Sequence, residues 1–509
     1  MMKKSIYINK FLALFGLMAL VSCTKNFETL NTNPNAVTNP SAEYVFTKSQ
    51  YDGVANMLNL LLGTMQYTTS FNDVAGFGSK YVAAQVNTSS SSFSSAYPGA
   101  LNELAVVINT VTPDPAKTNL LAAARIWRVY CYSRLTDVYG DIPYSQATGG
   151  YTASVYSPMY DPQKDIYANM LTELDEAAAS LDASKATFGS ADLIYGGNTT
   201  QWKKFAYSLM LRLGMRLTKA DAATAETWVK KAIAGGVITA DADIAKIAYL
   251  ASGQDINKNP LALSLWNSDY IAQNGNTNQE GGKYQEVFIN YLKQTNDPRL
   301  GIISIVYSGG SPDTAYAKQQ GMPATLGAKP ANFASLSEPN PKTVLLFNSS
   351  RLIFTASESY FLLAEAALRG WYTTESASSL YSNGVNAALR QWSIISLGSS
   401  NGTLSAAQIS TYVNNNQLVA GTFDQRMNQI YTQFWVSIFP DAQEAFASYR
   451  RTGYPALTPN NYTGNATGGQ FPRRFLYPVS EQNLNAASYA AAVARQGADN
   501  LLTRVYWDK

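Results

Sequence analysis

The sequence predicts a mostly α-helical protein: stacked helical hairpins, with long irregular loop insertions forming a ligand face. Three observations carry this reading. Apolar residues recur at helical spacing along segments that come in pairs. The stretches between the pairs are long and rich in Gly, Pro, Asn and Ser, and they hold aromatic residues.

Taken in order, the chain opens with a basic stretch containing Lys3, Lys4 and Lys10, followed by the apolar run 11–21. That is the n-region and h-region of a signal peptide, and the run is too short for a spanning helix of roughly 20 residues. Leu20-Val21-Ser22-Cys23 has the form of a bacterial lipobox, so residues 1–22 are expected to be removed and Cys23 to carry lipid. Acyl chains contribute about 0.8 kcal/mol per buried CH₂ and so make a membrane anchor. Loss of the leader removes the three lysines that give 38 Lys+Arg their excess over 35 Asp+Glu. A neutral remainder offers no footprint for nucleic acid. Residues 23–40 are read as an Asn/Pro-rich extended tether and 41–509 as one domain.

Within that domain, residues 119–138 pair with 163–181, 200–218 with 223–234, and 353–369 with 376–392. The blocks are therefore 119–181, 200–234 and 353–392. The stripes are Ile166, Met170, Leu174, Ala177 and Leu181; Trp202, Phe205, Leu209, Leu213 and Leu217; and Met427, Ile430, Phe434 and Ile438. In the third pair, Tyr360-Phe-Leu-Leu-Ala-Glu-Ala366, Gly370, Ala377, Tyr381 and Gly384-Val385 follow the tetratricopeptide pattern of small and aromatic residues, without a regular 34-residue period. Cys131 lies on the face Leu120, Ala124, Trp127, Leu135 and Val138, and is read as a core residue. With Cys23 acylated, no internal disulfide remains possible.

Histidine is absent from all 509 residues, which excludes Ser-His-Asp and Cys-His chemistry and the usual zinc sites. Gly398-Ser-Ser-Asn-Gly402 matches a bare nucleophile-elbow pattern but lies in a Gly/Ser-rich loop. Carboxylate chemistry of the glycosidase kind survives, because paired carboxylates meet in space and not in sequence. No cofactor is predicted.

The insertions span 68–98 and 251–350. The first holds Phe71, Phe77, Tyr81, Phe93 and Tyr97; the second holds Trp266 and Tyr270. A single such ring ordinarily plugs a loop onto the core, but as a group they suggest a binding surface for a sugar face or a peptide side chain.

Phe27-Glu-Thr-Leu-Asn-Thr-Asn-Pro-Asn35, Arg134-Leu-Thr-Asp-Val-Tyr-Gly-Asp-Ile-Pro-Tyr144, Asn259-Pro-Leu261, Asp297-Pro-Arg299, Tyr449-Arg-Arg-Thr-Gly-Tyr-Pro455 and the set Arg473, Arg474, Tyr477-Pro478, Glu481, Asn485, Tyr489 and Trp507-Asp508 occur in that order behind the lipobox. This arrangement resembles the SusD/RagB-like outer-membrane lipoproteins, in particular the SusD-like 2 subgroup. Much of it reads as fold signature. Arg134 and Asp137 are one turn apart and placed to pair, Glu365 can pair with Arg369, and Arg450 and Arg451 sit near a helix C-terminus where positive charge is favoured.

The resemblance implies a nutrient-binding protein without catalysis, on the outer face of the outer membrane, capping a TonB-dependent (SusC-like) transporter and holding an oligosaccharide or peptide. It also implies that the segments 71–97 and 259–270 approach each other on the solvent side. The expected ligand residues are Phe71, Asn72, Asp73, Phe93, Tyr97, Trp266 and Tyr270, with Phe93 and Trp266 as the stacking rings. A carboxylate-dependent glycan hydrolase and a tetratricopeptide-type assembly scaffold are the alternatives.

Overall fold

Each apolar stripe in the sequence is one buried helix face. The computed structural model describes residues 41–55, 60–71, 79–267, 282–308 and 310–509. Residues 1–22, the tether with Cys23, and Asn72, Asp73 and Tyr270 lie outside the described residues. Helices α1 (Ala42–Ala55), α2 (Asn102–Val111), α3 (Thr118–Tyr139), α4 (Gln163–Ser180), α5 (Thr199–Arg216) and α6 (Ala222–Gly235) each pack on the next. Ile166, Met170, Leu174 and Ala177 are buried on α4, and Trp202, Phe205, Leu209 and Leu213 on α5. Burying one such side chain contributes roughly 1.5–3 kcal/mol. Polar caps set the entries: Asn198 accepts from the Gln201 N–H ahead of α5, and Asp221 from the Thr224 N–H ahead of α6.

After α7 (Pro260–Asn267) and α8 (Glu286–Gln294), helices α9 (Ala356–Leu368) and α10 (Ala377–Ile395) form the third hairpin, followed by α11 (Ala406–Asn415), α12 (Phe423–Ile438), α13 (Ala442–Thr452) and α14 (Ala486–Gln496). The hairpin needs a small residue at its crossing, since a Cβ on Gly384 would meet the Phe361 ring at 2.9 Å. Cys131 is buried, and a Cβ on Gly53 would lie 2.9 Å from its sulfur. Ala42–Lys509 forms one compact unit.

Strands are few and short. The pair β1 (Thr68–Thr69) and β2 (Lys283–Tyr284) runs antiparallel, with Thr68 opposite Tyr284 and Thr69 opposite Lys283. This ladder ties the first insertion to the second. A three-stranded sheet with Ser304–Ser308 at its centre sits inside the second insertion. The first insertion is partly helical: Ser91–Ala96 is an α-helix continued by a π-turn over Tyr97–Leu101, so Phe93 and Tyr97 stand on helix and not on loop.

The buried charges correct one reading from the sequence. Arg134 and Asp137 do not pair with each other. Arg134 forks onto Asp441, both bonds 2.9 Å, while Asp137 accepts from the Tyr167 hydroxyl and from Arg216 at 3.3 Å. Both face packed neighbours, where a partner on another helix offers a drier and, for Arg134, a bidentate contact. Glu365 does pair with Arg369, at 2.7 Å, and it also receives the Arg451 fork at 2.9 and 2.7 Å. Arg450 and Arg451 occupy the last turn of α13 as expected, yet both are buried. Arg450 donates to the backbone carbonyls of Arg473 (2.8 Å), Phe446 (3.2 Å) and Asp137.

Candidate functional site

Beside the β1–β2 ladder lies a cleft of ≈ 720 Å³. Helix α8 supplies Glu286, Asn290, Tyr291 and Gln294, α12 supplies Thr432 and Trp435, and the segments 323–325 and 455–461 close the other side. Gln285, directly after β2, ties the floor to the first insertion by donating to the carbonyls of Thr68 (2.9 Å) and Gly63 (3.2 Å).

The two rings of the cleft differ in role. Trp435 is buried, stacks on Tyr67 with centroids 5.2 Å apart, and donates its indole N–H to the Met65 carbonyl at 3.0 Å. Tyr291 is half-buried and stands edge-on to Trp435, 6.1 Å away. Trp435 is the backing and Tyr291 the more accessible ring, its hydroxyl accepting from Gln433 at 3.2 Å. Burial, with smaller pushes from Tyr412, Tyr381 and Asp297, holds the Tyr291 hydroxyl well above the usual tyrosine range, so it stays a neutral hydrogen-bonding group.

The floor holds an unsatisfied acceptor. Asn460 is only 7% exposed, and its amide nitrogen donates to the carbonyls of Ser79 (2.7 Å) and Ala324 (2.9 Å), which fixes the orientation of the group. Its Oδ1 has no partner. A buried acceptor left unpaired costs roughly 1–3 kcal/mol, so a ligand O–H or N–H is favoured there. Exposed amides at Asn290, Gln294 and Asn461 surround it, and Glu286 is the one charged residue among the described lining residues. Such a site suits a neutral, hydroxyl-rich ligand with an apolar face.

The residues singled out from the sequence fall into three places. Phe71 is not among the lining residues of this cleft and packs T-shaped on Phe333 at 5.1 Å; its carbonyl accepts from Lys80 (2.9 Å), which in turn lies 4.3 Å over the Tyr462 ring. Trp266 is half-buried at 6.1 Å from Phe347 and donates its indole N–H to the Leu345 carbonyl at 3.0 Å. Phe93 is 3% exposed, enclosed by Tyr97 (4.9 Å), Tyr139 (5.4 Å) and Tyr477 (5.9 Å), and with Tyr97 it lines a second cleft. Phe93 and Trp266 thus belong to different ring clusters, because the helical segment 91–101 carries Phe93 into the core. Tyr291, Asn290, Gln294 and Asn460 escaped sequence reasoning. One signal pointed to three of them: Glu286, Asn290 and Gln294 are spaced four apart, a polar stripe on α8 with Tyr291 at its edge.

Glu358, a fully buried acid of the hairpin region, is committed elsewhere. It accepts a fork from Arg212 at 2.6 and 2.7 Å. It shares with Asp441 an enclosed cavity of ≈ 40 Å³, room for a few waters and not for a sugar ring.

Stacked helical hairpins that carry a neutral, amide-lined cleft on their insertions define a ligand-binding protein of the helical-repeat class. The chain belongs to the SusD-like family: residues 33–478 match the family model described as starch-binding and associating with the outer membrane. Among solved structures it is similar to a chitin-binding protein, with 30% identity, a TM-score of 0.78, and coverage of 92% of this chain and 100% of the other. It is also similar to a chitin-binding SusD homolog from Flavobacterium johnsoniae at 25% identity and a TM-score of 0.73, covering 92% and 97% of the two chains. A protein from Bacteroides vulgatus described as an outer-membrane protein involved in nutrient binding shares the fold, at 22% identity and a TM-score of 0.76, covering 92% and 100%. No curated protein matches the chain. Among the described residues, no helix is long and apolar enough to cross a membrane.

Proposed function

We propose that this protein captures an oligosaccharide in the α8 cleft and hands it to a TonB-dependent, SusC-like transporter, without altering it. The observation that carries the reading is the conjunction of the more accessible ring, Tyr291, with the unsatisfied buried acceptor Asn460 Oδ1 in a cleft of ≈ 720 Å³. A sugar presents an apolar C–H face to the first and hydroxyl donors to the second. Chitin fragments are the favoured ligand class, because a relative at 30% identity is a chitin-binding protein and an N-acetyl group adds an N–H donor suited to the exposed amides. Phe71, Asn72, Asp73 and Tyr270 belong to insertions that the β1–β2 ladder joins beside the cleft, and they are proposed to complete its rim. Residues 1–22 serve as a lipoprotein signal, and Cys23 carries the lipid that holds the protein on the outer face of the outer membrane.

Calorimetric titration with chitin-derived, starch-derived and peptide ligands tests the capture. Saturable heat with a chitin fragment, unchanged ligand on recovery, and loss of that heat in Tyr291→Ala are expected. Binding confined to peptides, or release of shorter sugars, would overturn the reading. Cys23→Ser is expected to abolish labelled-palmitate incorporation, and protease shaving of intact cells reads the orientation.

A further inference from the structure

The second cleft has a volume of ≈ 600 Å³ and a different chemistry from the first. Its walls are aromatic and apolar: Phe93 and Tyr97 behind, Tyr156 and Leu484 in front. Tyr156 is 80% exposed and Leu484 78%, with Met159 and Val479 also exposed beside them. Exposed apolar side chains clustered around a hollow mark an interaction site more often than chance surface composition does.

Two oxygens at its base lack a cationic or donor partner of their own. Glu481, on the short helix Val479–Leu484, is the only charged residue among the described lining residues. Its Oε2 accepts from the Tyr160 hydroxyl at 2.8 Å and from the Asn485 amide at 3.3 Å, and no described Lys or Arg pairs with it. Asn485 is 6% exposed, and its amide nitrogen also donates to the Pro158 carbonyl at 2.9 Å. Its Oδ1 has no partner, although the residue lines the cleft. An uncompensated carboxylate and an orphan carbonyl oxygen, enclosed by ring faces, leave the site short of one donor-rich cation.

We propose that this cleft recognises a lysine or arginine side chain presented by a polypeptide between apolar residues. The alkyl stem lies along Tyr97 and Leu484, the cation sits against the face of Tyr156, and its N–H groups reach Glu481 and Asn485 Oδ1. The apolar neighbours of the basic residue cover Met159 and Val479. A plain apolar ligand would strand both acceptors, and an anion would meet Glu481. A sugar would leave the aliphatic rim uncovered. The site is independent of the α8 cleft, so either can fail without the other.

The test uses the full chain and two short probes, acetyl-Leu-Lys-Leu-amide and its norleucine counterpart, titrated by protein-observed NMR. The lysine probe is expected to bind at least tenfold tighter than the norleucine probe. Glu481→Gln, which keeps a hydrogen-bonding oxygen for Tyr160, is expected to abolish that preference. Tyr156→Ala, at a side chain too exposed to matter for folding, is expected to weaken the lysine probe about fivefold while leaving oligosaccharide binding and melting temperature unchanged. Equal affinity for the two probes, absence of binding, or a preference surviving in Glu481→Gln overturns the proposal. The same cation has two sources, and cells separate them. Loss of a detergent-stable membrane complex in Glu481→Gln assigns it to a partner's loop; an intact complex with impaired peptide uptake assigns it to captured peptide.

Discussion

The interior between the helical hairpins and the α8 cleft use polar groups in opposite ways. Inside, charges are frequent and matched: Arg134 on Asp441, Arg212 on Glu358, Arg216 on Glu444 and Arg451 on Glu365. In the cleft the lining is almost neutral, yet Asn460 Oδ1 is left without a partner. The contrast teaches where to look for function in this fold. A buried ion pair that is geometrically complete belongs to the scaffold, and removing one member costs more than the pair contributes. A buried neutral acceptor left incomplete on the wall of an open cleft, as at Asn460, is where a ligand donor is best placed to add a bond.

Breaking the interior side of the contrast should have the largest effect. Arg451→Met leaves Glu365 buried with reduced compensation and is expected to cost roughly 3–5 kcal/mol in a denaturant titration. Oligosaccharide affinity of the folded fraction should stay the same. Should stability hold, the scaffold role of the pair is wrong.

Acid gives a second handle. Burial alone would raise the Glu365 carboxyl, but Arg451, Arg369 and the Tyr431 hydroxyl outweigh it and hold it at about 2, against an ordinary 4.5. A depressed folded value stabilises the protein above the unfolded one. That stabilisation, about 3 kcal/mol, is present above pH 4.5 and is lost as pH falls toward 2. The acid limb of a stability-versus-pH curve should flatten in Glu365→Gln.

Trp266 sharpens the comparison, since it lies in an insertion and yet is built like an interior residue. Trp266→Ala removes a ring packed on Phe347 and an indole bond to Leu345, and is expected to cost about 2 kcal/mol of stability. Ligand affinity should move by less than twofold. An affinity loss with an unchanged melt would instead return Trp266 to the binding surface.

Tyr291→Ala is the converse. Calorimetry should show about tenfold weaker oligosaccharide binding, roughly 1.4 kcal/mol, with a loss of stability smaller than that of Trp266→Ala, since the ring packs edge-on to Trp435 and the hydroxyl accepts from Gln433 at 3.2 Å. The smallest effect is expected from salt. With Glu286 the one charge among the described lining residues and Asp73 proposed at the rim, a neutral ligand has no charge for either to act on, so raising sodium chloride from low to high concentration should change affinity less than twofold. A steep salt dependence would mean that the ligand is charged.

How much of this could be read in the sequence follows from where each interaction is encoded. The helical pairs are local. The stripes Ile166 to Ala177 and Trp202 to Leu213 state their own periodicity, and Gly384 against Phe361 states the tightness of the third hairpin. Partner choice among buried charges is not local. Arg134 has an acid three residues away and takes one 307 residues away, a decision made by packing. The cleft is harder still, since Gln66, Tyr291, Ala324, Trp435 and Asn460 come from five separate segments. Aromatic content drew attention to the insertions, but it could not distinguish Phe93, drawn into the core by its helix, from the half-buried Tyr291. Exposed amides on α8 carried the better signal.

The β1–β2 ladder has a consequence for how the molecule comes into being. It joins residues more than two hundred positions apart through two residue pairs, a closure whose entropic cost such a short ladder cannot meet unaided. The hairpins must therefore assemble first and deliver the ends, as sequence-local contacts do in other helical arrays. Every copy that displays a finished cleft has already proved the soundness of its framework.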